Sequence, residues 1–136
     1  LTALHQWVRA ELGTHPRLVL MGDYNITFDD LDVWDPEGMR GQIHCTEEER
    51  QHLRALIDLG LSDSFRLFTQ APQSGKSYSW WDYRNFAFKR NQGLRIDHIL
   101  VSQALVPLAR SCVIDKTPRK NERPSDHTPV VLELYP

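Results

Sequence analysis

Hydrophobic positions along the chain keep two different periods. Leu4, Trp7, Val8 and Leu12 recur at helical spacing, and Gly13 with Pro16 closes the run, so residues 2–12 are predicted as an amphipathic helix. The next apolar stretch has no polar interruption. Leu18, Val19, Leu20 and Met21 offer apolar groups to both sides of a pleat, which predicts a strand covered on both faces. It stops at Gly22-Asp23-Tyr24-Asn25, where Asp23 and Asn25, two apart on an extended backbone, would point the same way. Residues 26–43 carry Asp, Pro and Gly without a steady period and predict an ordered, irregular loop. Thr46 and Glu49 then form a capping box that opens a second helix through Leu53, Leu56 and Ile57, ended by Gly60.

Beyond this helix the period shortens. Residues 61–68 read as a connection with some strand character, 70–76 as a polar turn, and the aromatic run 78–83 as a strand. A charged loop over 84–93 leads to strands at 95–102, 109–115 and 129–135, the last two separated by a Lys-, Arg- and Pro-rich loop, 116–125. The order is helix, strand, helix, then strands joined by short loops. It predicts an α/β chain of the α+β type: a mixed, largely antiparallel sheet with helices on one face. If the strands at 95–102 and 129–135 run antiparallel to 18–23, then Asp23, Asn25, Asp97, Asp126 and His127 share one rim of that sheet.

Composition narrows this picture without redirecting it. A chain of 136 residues, 40% hydrophobic and 25% charged, fills one domain at most. The net charge of -2 provides no global attraction for nucleic acid, so a polyanion site has to come from local placement of Arg and Lys. Cys45 and Cys112 stand far apart and imply neither a zinc site nor a disulfide framework. No stretch approaches a membrane span or a signal peptide, and the expected location is the cytoplasm. The chain opens on Leu1 inside a helical pattern, as a piece of a longer protein would.

The polar residues at the predicted rim admit two readings each. Asp23 with Asn25 suits a hard cation or a phosphate oxygen, and equally an ordinary turn. Ser125-Asp126-His127 sets an acid beside an imidazole before the last strand, or simply caps a turn. Asp97 is flanked by Ile96 and Ile99, a setting in which a carboxylate usually has a partner. His127 is a candidate, because a carboxylate accepting one ring N–H fixes the tautomer; backbone groups at the strand start are the other.

Four blocks taken in order resemble a known family: Gly22-Asp23-Tyr24-Asn25, Ser79-Trp80-Trp81-Asp82-Tyr83-Arg84, Asn91-Gln92-Gly93-Leu94-Arg95-Ile96-Asp97 and Pro124-Ser125-Asp126-His127-Thr128-Pro129-Val130. They look like the C-terminal half of the exonuclease III family, within the endonuclease/exonuclease/phosphatase superfamily that includes the apurinic/apyrimidinic endonucleases. By that resemblance Asp23 positions and deprotonates the attacking water, Asn25 holds the water or the scissile phosphate, Asp97 orients His127, and His127 stabilises charge developing on the phosphate. It also makes Asp23, Asn25, Asp126 and His127 the expected ligands of a divalent ion, magnesium or alternatively manganese. Trp80, Tyr83, Arg84 and Asn91 become the expected DNA-binding residues, with an aromatic wall able to receive an abasic sugar or a terminal nucleotide. Lys89, Arg90 and the basic residues of 119–123 meet DNA phosphates or form a solvated loop. The implied partner is double-stranded DNA with abasic sites or 3' ends.

The resemblance also implies what is missing. The family draws an asparagine, a metal-binding glutamate and a catalytic tyrosine from the half of the chain before this one. Residues 1–136 are therefore expected to be the C-terminal half of the domain and half of a four-layer α/β sandwich, inactive alone. Only two amphipathic helices are predicted, enough for one face of the sheet, so the other face is expected to pair with the missing half or with a second copy as a homodimer. The competing readings are a phosphatase acting on small phosphoesters and a DNA-binding or interaction fragment without catalysis.

Overall fold

The computed structural model describes residues 2–68 and 77–136, so the turn expected at 70–76 lies outside the described residues. Helix α1 spans Thr2–Thr14 and leads into strand β1, Val19–Asp23. A short helix α2, Pro36–Met39, punctuates the following loop, and α3 runs over Glu47–Asp58. The capping box is reciprocal: Glu49 N donates to Thr46 Oγ1 and Thr46 N to Glu49 Oε1, both at 3.1 Å. Glu47, Glu48 and Glu49 put negative charge on the positive end of the helix. Just beyond its last turn Gly60 sits at φ 111°, a left-handed backbone that a side chain would strain.

Strand β2 is Leu61–Asp63, β3 Trp80–Trp81, β4 Gly93–Leu94, β5 Asp97–Ser102, β6 Ala109–Ile114 and β7 Val130–Leu134. Every ladder among the described residues is antiparallel, in the orders β1-β5-β2, β3-β4 and β6-β7. Helices α1 and α3 cover one face of the three-stranded sheet, where Val8, Ile26, Leu53, Leu56, Leu61 and Leu100 form the main core. The opposite face of β5 is not bare. Ile99 and Val101 pack with Leu105, and Val130 and Leu132 of β7 close over them.

Three expectations change here. β1 is not covered on both faces: it is an edge strand, β6-β7 stack over β5 beside it, and Met21 stays 71% exposed with Val19 exposed next to it. Residues 129–135 do not join the sheet of β1; their ladder is with β6, so β7 supplies cover to that sheet in place of a strand. The strand expected from Arg95 begins at Asp97, because Arg95 N turns away to Asp32 O at 2.8 Å.

That turn belongs to a buried ion network that fixes the start of β5. Arg95 Nε donates to Asp32 Oδ1 at 2.7 Å and its terminal nitrogens reach Asp63 Oδ1 at 3.2 Å and Oδ2 at 2.5 Å, while Arg66 Nη2 reaches Asp32 Oδ1 at 2.6 Å. Asp32 Oδ2 also accepts from Phe28 N at 2.9 Å. Burial alone would raise the Asp32 pKa, but the neighbouring Arg95 and Arg66 guanidinium groups and His98 hold it below the usual carboxylate range.

His98, next in β5 but facing the helices, donates Nε2–H to Ile26 O at 2.8 Å and leaves Nδ1 without a partner. Its burial, together with the Arg95 charge, depresses the pKa from 6.5 to about 4. Between those two values the unfolded chain binds a proton that the folded chain does not. Stability is therefore full above pH 6.5 and falls as pH drops toward 4, by about 3 kcal/mol in total. His98→Gln, whose amide N–H can still reach Ile26 O, is expected to flatten that slope in urea unfolding run across the same pH range.

Candidate active site

Pairing of β1 with β5 sets Asp23 directly opposite Asp97. In an antiparallel pair opposed side chains share a face, so two carboxylates from distant parts of the sequence meet at one strand end. The third member comes from the loop before β7. His127 forms an isolated antiparallel bridge with Trp80, Trp81 N donates to Asp126 O at 3.0 Å, and Thr128 N donates to Ser79 O at 2.8 Å. Bonded in this way to the Trp80-Trp81 strand, residues 126–128 hold the imidazole over the β1-β5 end.

His127 Nδ1–H donates to Asp97 Oδ2 at 2.8 Å, which leaves Nε2 for the end of β1. Nε2 then faces Asp23 Oδ2 at 3.6 Å and Asp126 Oδ1 at 4.0 Å. Burial pulls the His127 pKa down, but the Asp97 hydrogen bond and the charges of Asp97, Asp23 and Asp126 outweigh it and leave it raised. Burial raises Asp97, against the lowering effect of its bonds to His127 and Ser79, so the two share their titration as a pair. Ser79 is a member the sequence did not single out: its Oγ accepts from both Ile96 N and Asp97 N at 3.1 Å and fixes the strand start from below.

The other expected residues separate by distance and exposure. Asp126 is beside the cluster, with Oδ2 taken by the Trp80 indole N–H at 3.0 Å. Asn25 is exposed and lies beyond β1 at φ 56°, so the two-apart argument from an extended backbone fails; its N–H instead closes a turn onto Asp23 Oδ1 at 2.9 Å. A second histidine absent from the sequence reading holds that turn, His44 donating Nδ1–H to Asn25 O at 2.5 Å with its ring 6.2 Å from that of Trp80. Asp23, Asp97 and His127 each offer one donor atom within 4.8 Å of the others. Two carboxylates and an imidazole with room for water fit a hard divalent ion.

Of the paired tryptophans, Trp81 is the core residue, fully buried, and Trp80 is half-buried beside Asp126. Gly93 makes the Trp81 packing possible: a Cβ there would sit 2.6 Å from Trp81 Nε1 and 2.7 Å from Trp80 O. Asn91 is turned inward at Oδ1, accepting from Trp81 Nε1 at 3.2 Å. Tyr83 and Arg84 are exposed next to the site, Tyr83 donating its hydroxyl to Pro124 O at 3.1 Å and Arg84 forking onto Asp82. Arg119, expected among the phosphate contacts, is instead buried.

Comparison with known proteins places this arrangement. The model of the endonuclease/exonuclease/phosphatase family matches residues 1–127. Exodeoxyribonuclease III of Haemophilus influenzae is 39% identical over 96% of this chain and 51% of its own length. The 3'-5' exonuclease NExo of Neisseria meningitidis superposes with a TM-score of 0.94 at 46% identity, over 98% of this chain and 51% of that one. A Neisseria NExo structure described as a 3' phosphatase bound to a product DNA hairpin gives 0.93 at 45% identity, with 98% and 51% coverage. An AP endonuclease from Archaeoglobus fulgidus gives a TM-score of 0.82 at 28% identity, covering 98% of this chain and 54% of that one. The chain belongs to the endonuclease/exonuclease/phosphatase family. It spans about half the length of the curated relatives it matches. No helix among the described residues is long and apolar enough to cross a membrane.

Proposed function

We propose that this chain is the C-terminal part of a magnesium-dependent DNA repair phosphodiesterase, cleaving as a 3' to 5' exodeoxyribonuclease and at abasic sites when joined to its N-terminal half. The observation that carries the reading is the His127 imidazole, locked by Asp97 at 2.8 Å and facing Asp23 at 3.6 Å, beside Asp126 and the Trp80 wall. At 3.6 Å the Asp23–His127 pair is too far apart for a direct hydrogen bond and close enough for one oxygen lying beside it, of a phosphate or of the attacking water, to reach both. Asp23 Oδ2, outside the hydrogen bond that Oδ1 accepts from Asn25 N, would take a proton from that water, and His127 in its doubly protonated form would present Nε2–H toward the oxygen on which charge develops. Asp97 fixes the ring through Nδ1–H and favours the imidazolium that this second donation needs. Of the ligands the resemblance implies, Asp23, Asp126 and Asn25 would hold a magnesium ion, manganese being the substitute. His127 would join them only with Nε2 unprotonated, while Asp97 of the Asp23-Asp97-His127 cluster stays with the imidazole. When bound, the ion would lower the pKa of a coordinated water and neutralise phosphate charge. Trp80, Tyr83 and Arg84 line the approach for double-stranded DNA, and Asn91 supports it by holding Trp81.

The missing half also accounts for surface that one copy leaves apolar. Met21 and Val19 on β1, with Val113, Val131 and Tyr135 on the outer side of β6-β7, are exposed. In the half-sandwich reading the first half of the domain covers part of this surface, and the isolated chain covers it with a second copy.

A second reading is favoured by one observation. The NExo structure with a product hairpin is described as a 3' phosphatase, so removal of a 3'-terminal phosphate from DNA is the alternative reaction for the same residues. The test is cleavage of an abasic-site duplex, a recessed 3' end and a 3'-phosphorylated end by the chain alone and by the chain joined to its N-terminal half. The joined protein is expected to cleave the first two in a magnesium-dependent way, and the chain alone to be folded with little activity. Release of phosphate from the 3'-phosphorylated end only would favour the second reading, and DNA binding without any cleavage would leave a binding fragment.

A further inference from the structure

The loop between β6 and β7 reads as solvated charge, yet one of its cations is hidden. Arg119 is only 8% exposed, whereas Lys116, Lys120 and Arg123 around it are exposed. Its guanidinium carbon lies 4.7 Å from the ring centre of Phe88, 5.7 Å from that of Trp81 and 5.8 Å from that of Tyr83. Among the described residues no carboxylate lies within ion-pair distance of it, and Nε has no hydrogen-bond partner. A buried cation without an anion is costly, and three aromatic faces offset only part of that cost. A methionine or leucine would fill the same space among Trp81 and Phe88 without it. What the cation adds is one directed bond, from Nη1 to Ser125 O at 2.8 Å.

That carbonyl is two residues from His127. Tyr83, whose ring rests on the same guanidinium, donates its hydroxyl to the carbonyl just before it, Pro124 O, at 3.1 Å. We infer that Arg119 is a positioning residue: it anchors the 124–127 turn to the aromatic floor and thereby keeps Asp126 on the Trp80 indole and His127 over Asp97. The inference deepens the proposed nuclease reading, for it names what aligns the two site residues contributed by this loop. It also ties that alignment to Tyr83, the exposed aromatic at the proposed DNA approach. Lysine cannot replace the arginine, since an ammonium does not lie flat on the rings while donating sideways to a carbonyl.

The Trp80 indole N–H, bonded to Asp126 Oδ2 at 3.0 Å, reports on the turn without substrate or metal. In nitrogen-15 labelled 136-residue chain, Arg119→Lys is expected to move the Trp80 indole resonance toward that of a free indole and to speed its solvent exchange tenfold or more. The signal of Trp7, on α1, stays where it is. Arg119→Ala opens the aromatic box, and millimolar methylguanidinium restores the Trp80 signal while methylammonium does not. A folded Arg119→Lys chain with an unchanged Trp80 signal, or equal rescue by both cations, would reduce Arg119 to packing and overturn the proposal. If Arg119→Lys does not fold, Phe88→Leu, which removes the nearest ring but keeps the charge, is expected to shift the same signal; no shift there is equally fatal. Because no DNA enters these measurements, they stand or fall apart from the cleavage test of the nuclease reading.

Discussion

An Arg95→Met chain is expected to lose about 3–5 kcal/mol of folding stability, a large fraction of what a domain of this size possesses. The guanidinium is 99% buried and bonds two carboxylates at once, Asp32 and Asp63. Its removal leaves Asp32, which has no exposed surface, with Arg66 and one backbone N–H as its remaining donors. The main cost is the stranded charge and not the lost contact. Replacing both partners, Arg95→Met with Asp32→Leu, is therefore expected to recover part of the loss, as buried pairs exchanged for apolar groups commonly do. Urea unfolding of the three chains checks this. A single variant as stable as the parent, or a double variant worse than the sum of the two singles, would show that the network is not what holds the start of β5.

The parts of the fold legible in the sequence are those whose cause is local. The capping box of α3 needs only Thr46 and Glu49, and it is found as read. The end of the first strand at Asp23 follows from where its apolar run stops, and antiparallel pairing sets it opposite Asp97, although that partner strand begins at Asp97 and not at Arg95 as read. His127 was expected beside them with strand 129–135 in the sheet of β1; it reaches them instead through the bonds of residues 126–128 to the Trp80-Trp81 strand. The network at Arg95 was hidden for the opposite reason. Its partner Asp32 lies 63 residues away in a loop without periodicity, and an arginine after Gly93-Leu94 looks like the polar start of a strand. Arg119 was hidden by its neighbours, a charged residue in a charged run whose burial depends on three rings from the distant segment 81–88. Asn25 was placed too regularly: the chain leaves the strand at Asp23 and turns through a left-handed residue that no pattern of apolar positions records. The coverage of the sheet was misjudged because strand patterns do not say which ladder a strand enters, and β7 entered one with β6.

On the proposed nuclease reading, His127→Ala in the chain joined to its N-terminal half is expected to slow cleavage on the order of 10² to 10³-fold while DNA affinity changes little. The imidazole makes its strongest contact with Asp97 and reserves Nε2 for the space in front of Asp23, 3.6 Å away, so it has little to offer a ground-state complex and much to offer an oxygen gaining charge. Asp23→Asn is expected to cost a similar factor, because the amide keeps the shape and cannot accept the proton of water. Asp97 stands one step back. It touches His127 and the β5 start, so Asp97→Asn lowers the rate by misdirecting the ring, and the loss should vanish once the ring is gone. The double variant Asp97→Asn with His127→Ala is then no slower than His127→Ala alone, whereas Asp23→Asn with His127→Ala is slower than either. Single-turnover cleavage of an abasic-site duplex, with gel-shift affinities beside it, separates these cases. Losses of Asp97 and His127 that simply multiply would assign Asp97 a contact of its own with the substrate or a metal, and binding lost in step with rate would remove His127 from the chemistry.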